Sequence, residues 1–349
     1  MAYTTIKKPS DYFNTKLYTG NGSTQSITGV NFQPDLSWIK SRTTTDTNAW
    51  YDAVRGATKR IKSNSTDAET TQSTALTSFD SDGFSIGAGG DVNTNSANYV
   101  SWNWLGDNGT ASNTDGSITS TVSANTTSGF SIVSYTGTGS VATVGHGLGA
   151  IPDMITVKNL STGSTNWRSI FPNMVLGGAS NGADYNLNLN TTNPWNDGTE
   201  FNDTMPTSSV FTIGTAGDVN TNGDNYIAYC WKNIKGYSKI GSYIGNGNAD
   251  GTFVYTGFKP AFIIVKSTGV QSWFIYDNKR LGYNENNYTL LTNGTNTEIS
   301  GEQEIDILSN GFKMRSPDAP TNASGQTFIY MAFAENPLVT TSGVPATAR

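Results

Sequence analysis

Asp218, Asn220 and Asn222 stand at alternate positions in GDVNTNGDN, followed by Gly223, which is how the first half of an oxygen-rich calcium loop is spaced. The twelfth position of such a loop should be a bidentate Glu. Here it is Tyr229, and a second copy of the phrase, GDVNTNSAN from Gly90, has Ser96 where the glycine should be. Asn and Asp also build metal-free turns by bonding their own backbone, and that is the expected role; the three residues stay only weak metal candidates, and no cofactor is expected. His146 is the single histidine, and a Ser-His-Asp arrangement would need a strand-to-helix nucleophile elbow to support it; none is assigned. A glycosidase needs only two carboxylates, and Glu302, Glu304 and Asp306 in EQEID, with Asp52 and Asp277, supply the types but no spacing. No catalytic residue is assigned on this basis. Trp50, Trp167 and Trp273 lie in polar-flanked segments and are the candidates for stacking on a glycan. The competing reading, that each caps a core, is favoured because Trp is highly buried on average.

These residues recur because the elements carrying them recur. PDLSWIK (34–40), PDMITVK (152–158) and PAFIIVK (260–266) each set a Pro six residues before a Lys, with an apolar strand-like run between. A Gly-rich turn after Tyr18, Tyr135 and Tyr243 precedes each, and the three Trp follow 16, 15 and 13 residues past the proline. Each unit closes on an aromatic strand: NYVSWNW, NYIAYCW and TFIYMAF. The third unit keeps this strand while its preceding loop, SPDAPTNASGQ, departs from the phrase of the other two. Alternating apolar and polar residues with Asn-Gly and Asp-Gly turns indicate short antiparallel strands. The expected fold is all-β: three tandem jelly-roll-like β-sandwich repeats with short terminal arms. The expected boundaries are a docking arm at 1–15, repeats at 16–109, 129–236 and 237–337, a Gly/Ser/Thr-rich linker or edge excursion at 110–128 and a tail at 338–349. Tyr3, Ile6, Tyr12 and Phe13 would give the arm an apolar docking surface.

Composition narrows the function. With 21 Lys and Arg against 27 Asp and Glu, and a net charge of −6, the chain lacks the basic face a nucleic-acid binder needs. The basic run RGATKRIK (55–62) lacks interleaved aromatics and reads as a solvated edge or loop. No stretch approaches the roughly 20 apolar residues that span a bilayer, so no membrane partner is expected. Cys230, the lone cysteine, lies in an apolar run and reads as a buried small hydrophobe.

The opening MAYTTIKKPSDYFNTKLYTGNGSTQSITGVNFQPDLSWIK, the phrases DAVRGATK, LTSFDSDGFSIG and NYVSWNWL, and the close IYMAFAENP with GVPATAR carry a resemblance. Over essentially its whole length the chain resembles a family of repeat-containing structural virion proteins of marine tailed bacteriophages, often labelled tail-fibre or lectin-like. The resemblance implies a non-enzymatic virion component, assembled in the host cytoplasm, that serves as a fibre, appendage or decoration. Its expected partners are other virion proteins, further copies of itself as a homotrimer, and a host surface glycan. The alternative from another class is a tail depolymerase, a glycoside hydrolase acting on envelope polysaccharide.

Overall fold

The computed structural model describes residues 3–174, 180–280, 284, 288–301, 304–339 and 343. The regular secondary structure is nearly all strand. A first lobe contains β1 (Phe13–Thr19), β2 (Gln25–Thr28), β3 (Leu36–Ser41), β4 (Ala49–Asp52), β5 (Lys59–Lys62), β6 (Thr70–Thr71), β7 (Leu76–Asp80), β8 (Gly83–Ile86) and β9 (Asn98–Trp104). A second contains β10 (Ala111–Asn113), β11 (Ser120–Asn125), β12 (Phe130–Thr136), β13 (Ala142–Gly145), β14 (Met154–Asn159), β15 (Arg168–Ile170), β16 (Tyr185–Asn188), β17 (Asn196–Asp197), β18 (Val210–Ile213) and β19 (Asn225–Trp231). The third contains β20 (Ser238–Ile244), β21 (Phe253–Tyr255), β22 (Phe258–Ser267), β23 (Trp273–Asp277), β24 (Leu290–Leu291), β25 (Ile305–Leu308), β26 (Gly311–Met314) and β27 (Thr327–Pro337). One-turn helices α1 (Gly90–Asn93), α2 (Gly217–Asn220) and α3 (Ala319–Asn322) precede the last strand of each lobe.

Each lobe is a sandwich of one large and one small antiparallel sheet. The large sheets run β1-β9-β3-β4-β5-β6, β10-β11-β12-β19-β14-β15-β16-β17 and β20-β27-β22-β23-β24, and the small ones β2-β8-β7, β13-β18 and β21-β26-β25. Strand alternation divides the large sheets' side chains between two cores. On one face Tyr99, Ala228 and Ala332 enter the private core of their own lobe. On the other, Trp102, Tyr229 and Met331 meet in a single core shared by all three lobes. Strands β3, β14 and β22 are therefore buried along their whole length. This explains apolar runs such as FIIV, which the half-buried sheets of an isolated sandwich would not need. At the centre Trp104 lies 6.4 Å from Trp231 and 5.6 Å from Phe333, centroid to centroid.

The twice-repeated phrase and the Gly-rich turn are two halves of one device. Asn93, fully buried at the end of α1, accepts from the Asn21 amide at 2.8 Å and donates to the carbonyls of Gly87 and Ser23. Asn220 does the same with Thr138 N, Gly214 O and Ser140 O. In the third lobe, whose loop looked unlike the others, Asn322 binds Asn246 N, Ser316 O and Asn248 O. The first glycine of each turn sits so close that a Cβ on Gly20, Gly137 or Gly245 would come within 2.2, 2.3 and 2.3 Å of a backbone oxygen. Tyr18, Tyr135 and Tyr243 then cap the helices through hydroxyl bonds to Val92 O, Val219 O and Thr321 O.

Three expectations are revised, and one proline departs from the repeat. Of the two readings of residues 110–128, the edge excursion fits and the linker does not: β10 and β11 extend the edge of the second large sheet, with Thr121–Asn125 paired to Phe130–Ser134. Their small polar side chains concealed a strand because pairing, not hydrophobicity, holds it. The segment 1–15 is not a free docking arm in its described part. Ile6 and Phe13 are buried in the shared core, Tyr12 packs edge-on to Tyr237, and the Tyr3 hydroxyl donates to Gly257 O at 2.7 Å. Pro34 and Pro152 precede their strands, whereas Pro260 lies inside β22 at a bulge, where its missing N–H leaves the ladder irregular. The basic run 55–62 is solvated only in part: Arg55 and Arg60 are drawn inward to Asp52 and Asp91, while the side chains of Lys59 and Lys62 stay partly exposed. The tail at 338–349 lies largely outside the described residues.

Candidate functional site

Trp50, Trp167 and Trp273 are 2%, 0% and 3% exposed, within the shared core. Their faces are closed to any sugar, so the glycan-stacking reading of these residues is set aside. They are also not equivalent in register. Trp273 pairs with Lys266 on β22, and Trp167 falls one residue past the Val157–Arg168 pair, opposite Lys158. The matching place in the first lobe belongs to Asn48, while Trp50 pairs with Trp38 two residues further on. A shift of two keeps the same face, so all three indoles still point inward.

That common position makes a ring of contacts. The Trp167 indole of the second lobe donates to Lys62 O of the first at 2.9 Å, and the Trp273 indole of the third to Asn188 O of the second at 3.0 Å. The Asn48 amide of the first lobe closes the circle on Leu291 O and Thr292 O of the third, at 2.8 and 2.6 Å.

A second ring holds the carboxylates singled out from the sequence. Asp52, with no exposed surface, pairs with Arg55 Nε at 2.5 Å and accepts from the Tyr229 hydroxyl of the second lobe at 2.6 Å. Asp277 pairs with Arg280 Nε at 2.6 Å and accepts from the Trp102 indole of the first lobe at 3.1 Å. The second lobe puts Phe171 and Met174 in the places of Asp and Arg, beside Met331 of the third, so its junction is apolar. The spacing D-x-x-R in DAVR and DNKR was the available signal, against FPNM in the second lobe. Arg55 also reaches Glu69, and Arg280 reaches Glu298, which in turn meets Arg42 of the first lobe. Asp306 pairs with Arg315, and Glu302 lies outside the described residues. The described carboxylates Asp52, Asp277 and Asp306 are held by three different arginines.

Three lysines close the repeated Pro-to-Lys strands, and all are buried. Lys40 donates to Asp46 O and to Thr295 O of the third lobe; Lys158 donates to Thr165 O and to Thr66 O of the first. Lys266 holds Ser267 O and Gly269 O. Loss of water pulls Lys40 and Lys158 down to about 8 and Lys266 to about 7.

The weak metal candidates diverge. Asp218 is bound to Arg168 at 2.6 Å and to the Asn166 amide; Asn220 is turned inward on the loop bonds given above, and Asn222 is exposed. Among the described residues no three His, Cys, Asp or Glu gather in a way that could hold a metal ion. His146 is buried, with Nδ1 accepting from the Leu148 amide, and burial lowers its pKa. Burial raises that of Cys230, which has no exposed surface and packs in the second lobe's core. Both are parts of the packing. No described helix is long and apolar enough to cross a membrane.

No curated protein matches the chain. A family model described as a domain of unknown function, DUF7483, matches residues 8–337, which takes in all three lobes and their shared core, and the chain belongs to that family.

Proposed function

We propose that the chain is a non-enzymatic structural protein of a tailed-bacteriophage virion, a fibre, appendage or decoration component assembled in the host cytoplasm. The observation that carries the non-enzymatic part is the fate of Asp52 and Asp277. Asp52 and Asp277, two of the carboxylates the hydrolase reading draws on, are each held by an arginine and by a donor from another lobe, which supports a joining role for them. The recurring strand order supports a chain of three jelly-roll-like copies of one unit, closed into a stiff, polar body. The virion assignment rests on the family resemblance of the opening and closing phrases.

Other virion proteins and further copies of the chain, as a homotrimer, are the proposed partners; the core shared by the three lobes stabilises each chain from within. Host-glycan contact, where it occurs, falls to exposed aromatics such as Phe253 and Tyr255, 45% and 54% exposed, rather than to the buried tryptophans. Incubating the purified protein with host envelope polysaccharide should release no new reducing ends; release would favour the depolymerase. Labelling or reconstruction of intact particles should find the protein on their surface, and its absence there would end the virion reading.

A further inference from the structure

The first long strand of each large sheet, β1, β12 or β20, pairs with that sheet's closing aromatic strand, and its other side differs from lobe to lobe. Between the second and first lobes that side is filled by β11. That strand pairs with β12, and Ser123 receives the Asp107 amide from the first lobe's side. Between the third and second lobes the Asn233 side chain fills it. It bonds both N and O of Ile240 on β20 and also holds Asp153. Between the first and third lobes, among the described residues, that side is an open cleft: about 330 Å³ lined by Asn14, Thr15, Lys16, Leu17, Gly29 and Lys279. β1 is the outermost strand of its sheet there, with no described strand on its free side.

Pairing aligns β1 with β12: Phe13 faces Trp104 as Phe130 faces Trp231, which places Asn14–Leu17 on Ser131–Ser134. Those four residues of β12 are the ones covered by Thr121–Ala124 of β11. The open cleft is thus the place where the second lobe holds its added strand. The charge differs. Val133 of β12 faces Val122, whereas its counterpart on β1 is Lys16, and exposed Lys279 stands across the cleft. Asp82, whose carboxyl is held below its usual range by the amides of Asn31 and Gly29 and by Lys16, is the one carboxylate shown to act on Lys16, and its two oxygens are taken by those amides.

We infer that this cleft is a strand-addition site for an extended segment of a partner protein, antiparallel to β1, with small or β-branched residues and an acidic side chain opposite Lys16. Backbone pairing supplies affinity and the cross-strand charge pair selects the sequence. The inference stands independently of the virion reading.

The probe is a labelled peptide copying residues 118–127, ITSTVSANTT, alongside versions with Glu or Lys in place of Val122. Fluorescence anisotropy with the full chain at low salt should show saturable binding, with the Glu peptide about three- to fivefold tighter than the parent, as one cross-strand charge pair allows. Amide exchange at residues 14–17 should slow on binding. Lys16→Glu should reverse the preference in favour of the Lys peptide. If that variant melts early, Lys279→Glu, at an exposed position, should still weaken the Glu peptide. Absence of saturable binding, binding without protection of β1, or a preference unmoved by charge reversal would overturn the site. Protection of β1 in the protein alone, rising with concentration as a dimer forms, would overturn the partner-protein occupant in favour of a second copy.

Discussion

Replacing Arg55 by Met should be among the most damaging single changes in the molecule. The guanidinium, 3% exposed, is bonded to Asp52 at 2.5 Å, to Glu69 at 3.1 Å and to the carbonyls of Lys59 and Trp50. Without it the Asp52 carboxylate stays fully buried, with the Tyr229 hydroxyl and the residue-55 amide as its donors. Breaking a buried pair from one side costs about 3–5 kcal/mol, because the remaining charge is uncompensated. An unfolding entropy of about 2.1 cal/mol/K per residue over 349 residues converts that to a fall in Tm of about 4–7 °C. The second lobe shows that the same junction can be built without charge, from Phe171, Met174 and Met331. Asp52→Leu combined with Arg55→Met and Tyr229→Met should therefore recover at least about 2 kcal/mol of the loss, by removing both halves of the pair and its donor. Calorimetry and denaturant melts on the three proteins provide the measurement. The reasoning fails if Arg55→Met costs under about 1 kcal/mol, or if the triple variant is no more stable than the single one.

Asn322→Ala should destabilise as much as Asn93→Ala and Asn220→Ala, about 2–4 kcal/mol each, since each strands several buried backbone groups; denaturant midpoints compare them directly. Trp167→Ala should cost about 3–5 kcal/mol for the cavity alone, and it should leave any glycan-array signal unchanged. Stability should rise with pH from about 7 toward 10. The buried Lys40, Lys158 and Lys266 release protons near 8, 8 and 7 in the folded chain but near 10.5 when unfolded, so the unfolded state binds more protons across that window. Above pH 10 the slope should invert, because burial raises the pKa of Tyr18, Tyr135 and Tyr229 and the unfolded chain loses those protons first. Lys266→Met should flatten the rising limb by about one proton, a slope of about 1.4 kcal/mol per pH unit in chemical melts.

The sequence by itself determined the strand class, the turn positions and the recurrence of Pro-to-Lys strands and aromatic strands. Period-two alternation, Gly at tight turns and β-branched or aromatic content are local properties, written within ten residues of where they act. It also marked Asn220 and Gly137 as special, without showing that they face each other. Tertiary structure alone decided what covers the second face of each large sheet. Alternation in NYVSWNW says that Trp102 and Tyr99 point opposite ways, but not that both sides are closed. The buried state of Trp50, the two-residue offset of its register and the pairing of Asp277 with Trp102, 175 residues away, depend on how the lobes close on one another. The strand at 120–125 stayed hidden for the same reason. Ser, Thr and Ala carry no hydrophobic signal, and its ladder partner is supplied by the fold around it.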